Sequence, residues 1–209
     1  EGGAFRERKR TYPQLTNVSD PCTVKDNNEK GVTMMKIFTT QTIGLLQKIE
    51  KEESFSIEET ARLLAQSVMG DGGRVILYGV DELDSVVTRA LLGEEPMTRA
   101  VRYEEGMTFE KTDRIFLIGR RADDPRLLKV AKELFDAFIP FGAMTASPRG
   151  EDNELEGLAY TYICTHTPDG YVPTDSGERV GRPHSLLATF IFEAILMQYR
   201  AIVSEELND

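Results

Sequence analysis

The sequence contains few of the residues that form disulfides or bind zinc. Cysteine occurs only as Cys22 and Cys164, and histidine occurs at only two of the 209 positions. Two cysteines are too few for a disulfide framework, and so few thiols and imidazoles do not favour a zinc site. We therefore predict a protein with no metal ion and no cofactor.

The sequence also lacks an excess of positive charge and a long apolar run. Its formal net charge is −10 at pH 7, whereas nucleic acids and anionic membranes attract basic surfaces. No apolar stretch approaches the roughly 20 residues of a membrane span, and no charged and then apolar signal segment opens the chain. These absences predict a cytoplasmic protein that binds neither nucleic acid nor a membrane.

Residues 1–33 show neither helical nor strand periodicity. They are rich in charged and turn-forming residues, which predicts a disordered tail. The peptide EKGVTMM back-translates to a purine-rich tract followed by ATG codons, the pattern of a bacterial ribosome-binding site. We therefore expect Met34 or Met35 to be the natural start. Residues 34–209 are expected to form a single domain, because they suffice for one core but not for two large ones.

Two amphipathic helices are predicted before the first strand. The first has an apolar face between Met35 and Ile49. The second has Ser56 and Glu59 as a capping box and Gly70 as its stop. The capping box predicts that the first helix ends before Ser56 and that a new helix begins there.

Strands and helices alternate in the remainder of the chain. The predicted strands are residues 75–78, 100–103, 114–118, 141–146 and 159–164. The predicted helices begin at Asp84, at Pro125 behind an Asp124 N-cap, and at Pro183. This alternation favours a parallel sheet covered on both faces, in a doubly wound, three-layer α/β sandwich.

Three loops of such a sheet are candidates for ligand binding. In doubly wound sheets, ligands bind beyond the carboxyl ends of the strands, at the point where the direction of winding reverses. The loops that follow the predicted strands at this edge are residues 79–85, 119–124 and 165–182. We therefore expect the functional residues among them.

Three stretches of the sequence resemble the sugar-isomerase (SIS) domain and, within it, phosphoheptose isomerase. The stretch GDGGRVILYGVDELDSVVTRALLG resembles the first strand, phosphate loop and helix, and DRIFLIGRRADDPRLLKVAKEL resembles the second phosphate loop and helix. The stretch DGYVPTDSGERVGRPHSLLATFIFEAI resembles the segment that leads into the final helix. The resemblance covers nearly everything from Met35 onward, and the chain is similar to a small uncharacterised bacterial family with this fold. The resemblance to the SIS domain implies a five-stranded parallel sheet in the order 2-1-3-4-5, N-terminal helices that pack against another subunit, and a sugar-phosphate ligand.

The chain departs from the SIS pattern at the residues that carry the chemistry. The second loop of the family holds phosphate with serine and threonine hydroxyls, but this chain has no hydroxyl between Gly119 and Asp124. The position of the catalytic glutamate falls near Ala90, whereas His184 lies where the family has its catalytic histidine. The resemblance thus implies one candidate catalytic residue, His184. It also implies a set of ligand-binding residues in the two loops: Gly79, Val80, Asp81, Ser85, Gly119, Arg120, Arg121 and Asp124.

The acidic residues of these loops allow three interpretations. Asp81 and Asp124 lie at predicted helix starts, where their carboxylates can cap the helices and take the place of an external anion. Alternatively, Arg120 and Arg121 pair with a ligand phosphate that approaches from another angle. The third interpretation is a divalent cation held by four carboxylates, Asp81, Asp84, Asp123 and Asp124. Self-capping is favoured, and the cation is disfavoured because helix N-termini repel positive charge.

Three functions therefore stay open. The favoured one is a SIS-fold protein that binds a phosphorylated sugar or related metabolite without efficient isomerase activity. The second is an active sugar-phosphate isomerase with a rearranged site around His184 and the two arginines, in which Glu82 or Glu178 supplies the second acid–base group. The third is a structural module with a vestigial pocket. The apolar faces of residues 35–50 and of the last helix also predict a homodimer or larger assembly.

Overall fold

Five parallel strands form the central sheet of the structure, a computed structural model that describes residues 28–69, 72–174 and 176–206. The strands are β1 Val75–Gly79, β2 Ala100–Arg102, β3 Arg114–Ile118, β4 Phe141–Thr145 and β5 Thr161–Cys164. Their order is β2-β1-β3-β4-β5, with every pairing parallel. This confirms the predicted α/β class and the order 2-1-3-4-5. The direction of winding reverses between β1 and β3, whose carboxyl ends pair at Gly79 and Ile118.

Helices cover both faces of the sheet. They are α1 Asn28–Met69, α2 Asp84–Leu92, α3 Pro125–Asp136, α4 Glu154–Leu158 and α5 His184–Glu206. The core shared with α1, α2 and α5 includes Phe116 and Ile118, whereas the core shared with α3 includes Ile115 and Leu117. Successive residues of β3 therefore face opposite helical layers, as expected for a strand buried on both sides.

Four short elements were not predicted from the sequence. A single 3-10 turn, Asp81–Leu83, joins β1 to α2. The hairpin strands β6 Val172–Pro173 and β7 Arg179–Val180 lie between β5 and α5, and α4 has only five residues. Elements this short do not span enough residues to show a hydrophobic period.

The two predicted N-terminal helices are one continuous helix, α1, of 42 residues. Ser56 is not an N-cap: its carbonyl accepts a bond from the Thr60 hydroxyl one turn later (2.7 Å), and its own hydroxyl accepts from Arg149 (3.0 Å). No glycine or proline interrupts residues 51–60, so the backbone continues through the capping-box sequence.

The helix α1 begins at Asn28, earlier than the domain start predicted at Met34. Residues 28–33 are thus part of a helix. Residues 1–27, the rest of the predicted tail, lie outside the described residues. The proposed disorder of that segment therefore stays a prediction.

The helix α5 is long and apolar enough over residues 184–205 to satisfy the length and composition of a membrane span. Glu193 and Arg200 interrupt its apolar run, so the sequence shows no unbroken apolar stretch of that length. In the structure Leu187, Ile191 and Tyr199 on this helix are fully buried in the core shared with α1. Packing inside the domain therefore accounts for much of its apolar surface.

Candidate functional site

An open cleft of about 850 Å³ lies at the carboxyl ends of the strands. It is lined by the 3-10 turn after β1, the loop after β3 with the start of α3, residues 146–148 after β4, residues 167–169 after β5 and the start of α5. All three loops selected from the direction of winding contribute to it. The cleft is therefore located where ligands bind in doubly wound sheets.

Asp81 begins the 3-10 turn after β1 and projects its carboxylate toward two arginines. Arg120 Nη2 donates to Asp81 Oδ2 (2.9 Å). Arg126 donates through Nη1 to Oδ1 (3.0 Å) and through Nη2 to Oδ2 (2.9 Å). The prediction that Asp81 caps a helix is wrong, because the capping position is Val80 and no side chain caps this turn. Two guanidinium groups provide several charge-assisted bonds, whereas a cap accepts from a backbone N–H that carries no net charge.

Asp124 is the N-cap of α3, as predicted. Its Oδ1 accepts from the backbone N–H of Arg126 (2.9 Å). The side chain of Arg126 also donates to Asp124, through Nε (3.0 Å) and Nη2 (2.7 Å). One arginine therefore joins the carboxylates that follow β1 and β3. Arg126 was not predicted as a site residue, because its only local signal is its place two residues after the predicted N-cap.

The arginines keep these carboxylates ionised. Hydrogen bonds from Arg126, and then from Arg120, lower the pKa of Asp81 to about 2. Arg126 is also the main reason that the pKa of Asp124 is lowered, and Asp124 and then Asp81 raise the pKa of Arg126 in return. The network therefore carries full charges of both signs at neutral pH.

Arg121 lies at the rim of the cleft and pairs with its neighbour Asp123. Arg121 donates through Nε to Asp123 Oδ1 (2.8 Å) and through Nη2 to Oδ2 (2.6 Å). Arg120, in contrast, reaches across the cleft to Asp81 and lies 3.6 Å from Glu82. Of the two arginines predicted to meet a phosphate, Arg120 is the one inside the charged network.

The remaining predicted loop residues do not line the cleft. Val80 is buried, and the Ser85 hydroxyl donates to the Glu82 carbonyl within its own turn (2.7 Å). A Cβ on Gly79 would lie 2.6 Å from the Leu83 carbonyl oxygen, and one on Gly119 would lie 2.4 Å from a methyl group of Leu127. Because Gly79 and Gly119 have no Cβ, the 3-10 turn and α3 can approach the sheet closely.

The four carboxylates considered for a cation face arginines instead. Asp84 pairs with Arg102 outside the cleft, and Asp81, Asp123 and Asp124 pair with the arginines of the loop after β3 and the start of α3. Within the described residues, no group of three or more His, Cys, Asp or Glu side chains could hold a metal ion. Guanidinium groups therefore occupy the positions that a cation would need.

His184 is the first residue of α5 and lines the cleft. It is half-buried, and burial is the main reason that its pKa is lowered. Arg120 and Arg182 lower the pKa further, whereas Glu82 and Asp169 oppose them. The lowered pKa favours the neutral imidazole at pH 7, which has one nitrogen that can accept a proton and one N–H that can donate.

A second polar cluster lies outside the cleft lining and centres on Glu53 of α1, which is fully buried. Its carboxylate accepts from Arg149 through Nη1 (2.7 Å) and Nη2 (2.6 Å), and its Oε1 lies 2.9 Å from His166 Nε2. The backbone of His166 has a φ of 53°, in the left-handed region that L residues rarely adopt. This cluster was not predicted, because in the sequence Glu53 is one of several consecutive charged residues on a predicted helix.

A family of sequences and a related bacterial protein match most of the chain. The family described as "Domain of unknown function (DUF2529)" matches residues 34–203. The "Uncharacterized protein YwjG" of Bacillus subtilis (strain 168) is 30% identical over 174 residues, which cover 82% of this chain and 99% of that protein. The family match extends over the loops after β1 and β3 and over the start of α5.

Several solved structures are similar to the chain in fold. Vibrio vulnificus NanR complexed with ManNAc-6P has a TM-score of 0.63 at 14% identity, covering 84% of this chain and 65% of NanR. Protein c3406 of E. coli CFT073, in complex with a sugar phosphate, has a TM-score of 0.59 at 12% identity, covering 85% and 94%. The sugar isomerase domain of an RpiR transcription factor from Sphaerobacter thermophilus has a TM-score of 0.59 at 15% identity, covering 82% and 92%. These similarities confirm the SIS fold that the sequence resembles.

Proposed function

We propose that this chain, which belongs to the DUF2529 family and has the SIS fold, binds a phosphorylated sugar or a related phosphorylated metabolite in the cleft. The observation that carries the proposal is the meeting of Arg120, Arg126, Arg182 and His184 beside the point where the strand order reverses. Guanidinium groups suit phosphate because their N–H groups donate in pairs to its oxygens. The sugar phosphates bound to NanR and c3406, which share the fold, support the same ligand class.

Binding without efficient isomerisation is the activity we favour. Ala90, near the position of the family's catalytic glutamate, is fully buried in the core and has no group that could move a proton. The loop after β3 contains arginines and aspartates in place of hydroxyls. The cleft therefore has groups that hold an anion but lacks the carboxylate that the resemblance implies for catalysis.

A sugar-phosphate isomerase is the second candidate, and one observation favours it. His184 lines the cleft together with Glu82, and its lowered pKa favours a neutral imidazole. In an enediol interconversion a carboxylate can remove the proton from carbon as the base, and a neutral imidazole can donate its N–H to the sugar oxygen as the acid. This candidate makes His184 and Glu82 the catalytic pair.

A panel of sugar phosphates tests the proposal. We expect at least one aldose or ketose phosphate to raise the melting temperature by roughly 5 °C or more at a hundred times its dissociation constant, because binding then adds about 2.7 kcal/mol of stability. The same sugars without phosphate are the control and should give no shift. A panel in which no phosphorylated sugar shifts the melting temperature would contradict the proposal.

The same samples distinguish binding from isomerisation. NMR spectra of a bound sugar phosphate should show no interconversion of aldose and ketose if the chain only binds. Interconversion that His184→Asn abolishes while the ligand still binds would instead establish the isomerase.

We also propose that the protein is a homodimer or a larger assembly. Met35 and Ile43 on α1, and Phe190 and Met197 on α5, expose large apolar surfaces that a second copy would cover. Light scattering should give at least twice the mass of one chain, and Phe190→Lys should shift the protein toward a monomer. Phe135→Lys, on the opposite face of the sheet, is the matched control and should leave the mass unchanged. A wild-type monomer at micromolar concentration would contradict the proposal.

A further inference from the structure

We propose that Arg120 and Arg126 form the phosphate subsite of the cleft, and that the Asp81 carboxylate fills this subsite until a phosphate group displaces it. The inference rests on the proposed function, because it names where the phosphate of the ligand binds. It also assigns Asp81 a role as a competitor that the chain itself supplies.

The contacts of Asp81 are those of an anion in an arginine subsite. Both of its oxygens face the two terminal nitrogens of Arg126, at 3.0 and 2.9 Å, and Oδ2 also accepts from Arg120 at 2.9 Å. A phosphate group is recognised by the same paired N–H groups. The arrangement that holds Asp81 therefore also fits an oxygen edge of a phosphate.

Solvent reaches this subsite through the cleft. The side chains of Arg120, Arg126 and Asp81 are 49%, 48% and 37% exposed, and all three line the cleft. A ligand can therefore approach the guanidinium groups without any opening of the core. Asp124 stays in place beside Arg126, because it also caps α3.

The backbone of Asp81 adopts an uncommon conformation. Its φ is 55°, in the left-handed region where asparagine and aspartate are tolerated better than most L residues. The three hydrogen bonds from Arg120 and Arg126 stabilise the side chain that this conformation presents. When a ligand takes over the hydrogen bonds of Arg120 and Arg126, Asp81 is free to leave this backbone conformation, which is not one of low energy for an L residue.

Phosphate is better suited than a carboxylate to displace Asp81. A phosphate monoester carries a charge of about −1.5 to −2 at neutral pH and three acceptor oxygens, whereas Asp81 offers one charge and two oxygens. The phosphate can therefore accept hydrogen bonds from Arg120 and Arg126 together, and it carries more negative charge than the Asp81 carboxylate. Competition from the tethered carboxylate excludes singly charged metabolites, so the subsite selects phosphorylated ones.

Titration with inorganic phosphate tests the inference. We expect Asp81→Asn to bind phosphate about tenfold more tightly than the wild-type protein in calorimetry, because the change removes both the competitor and a like charge near the bound anion. Asparagine tolerates the same backbone conformation, and circular dichroism establishes that the variant is folded. The matched control is Asp84→Asn, which also removes one negative charge. Asp84 pairs with Arg102 outside the cleft. The Asp84→Asn variant should bind phosphate as the wild type does.

A second variant tests the role of the arginine. Adding Arg126→Gln to Asp81→Asn should abolish the gain in phosphate affinity. Equal or weaker phosphate binding by Asp81→Asn would overturn the displacement, and a gain that survives the loss of Arg126 would overturn the assigned subsite.

These outcomes are separate from those of the sugar-phosphate panel. Tighter binding of inorganic phosphate by Asp81→Asn, with no sugar phosphate bound by either protein, would support the subsite and overturn the proposed function. Sugar phosphates that bind the wild type and Asp81→Asn equally would overturn the subsite and support the proposed function.

Discussion

Replacing Glu53 with alanine is expected to lower the free energy of unfolding by about 3 kcal/mol. Removing one partner of a buried ion pair costs about 3–5 kcal/mol, because the remaining charge loses its compensation. Glu53 is fully buried and accepts two hydrogen bonds from Arg149. We expect the lower end of that range because the Arg149 side chain is 38% exposed and can recover contact with water. Urea denaturation followed by circular dichroism measures the change.

Glu52→Ala is the matched control for this prediction. Glu52 is adjacent on the same helix, but its side chain is 47% exposed and its contact with His166 is longer, at 3.6 Å. Exposed pairs of this kind contribute about 0–1 kcal/mol. Equal losses of stability in the two variants would show that the Glu53 cluster does not stabilise the fold.

Gly79→Ala is expected to destabilise the protein by about 1–3 kcal/mol, the usual cost of forcing extra atoms into a packed site. Its Cβ would lie 2.6 Å from the Leu83 carbonyl oxygen and 2.8 Å from the Asp84 Cα. Both neighbours are backbone atoms, so the 3-10 turn and the start of α2 would have to move. Thermal denaturation should show a fall in melting temperature of roughly 2–4 °C for each kcal/mol lost.

Gly44→Ala provides a control of opposite sign. Gly44 is exposed on α1, and a Cβ there would have no atom within 4 Å apart from the adjacent backbone of its own helix. Alanine in a helix interior is more stable than glycine by about 0.5–1 kcal/mol. Stabilisation by Gly44→Ala together with destabilisation by Gly79→Ala would establish that close packing around position 79 is the reason that alanine is not tolerated there. A neutral Gly79→Ala would contradict this account of the turn.

Local patterns in the sequence determined most of the fold. The buried strand β3 was predicted with its observed bounds, Arg114–Ile118, because a short apolar run identifies a strand covered on both faces. The Asp124 cap was predictable because the N–H that it accepts from is only two residues away. The location of the cleft followed from the direction of winding, which depends on the order of the elements and not on any one side chain.

Only the tertiary structure determined the partners of the charged side chains. Asp81 meets Arg126 across 45 positions of the chain, and Glu53 meets His166 across 113. The same long-range packing joins α1 to Arg149 and leaves a capping-box sequence inside a continuous helix. A carboxylate accepts hydrogen bonds from the donors that the fold brings within about 3 Å of it. Which donors these are depends on sheet order and helix packing. Helical and strand periods are local properties of the sequence, whereas these contacts exist only when distant segments of the chain meet.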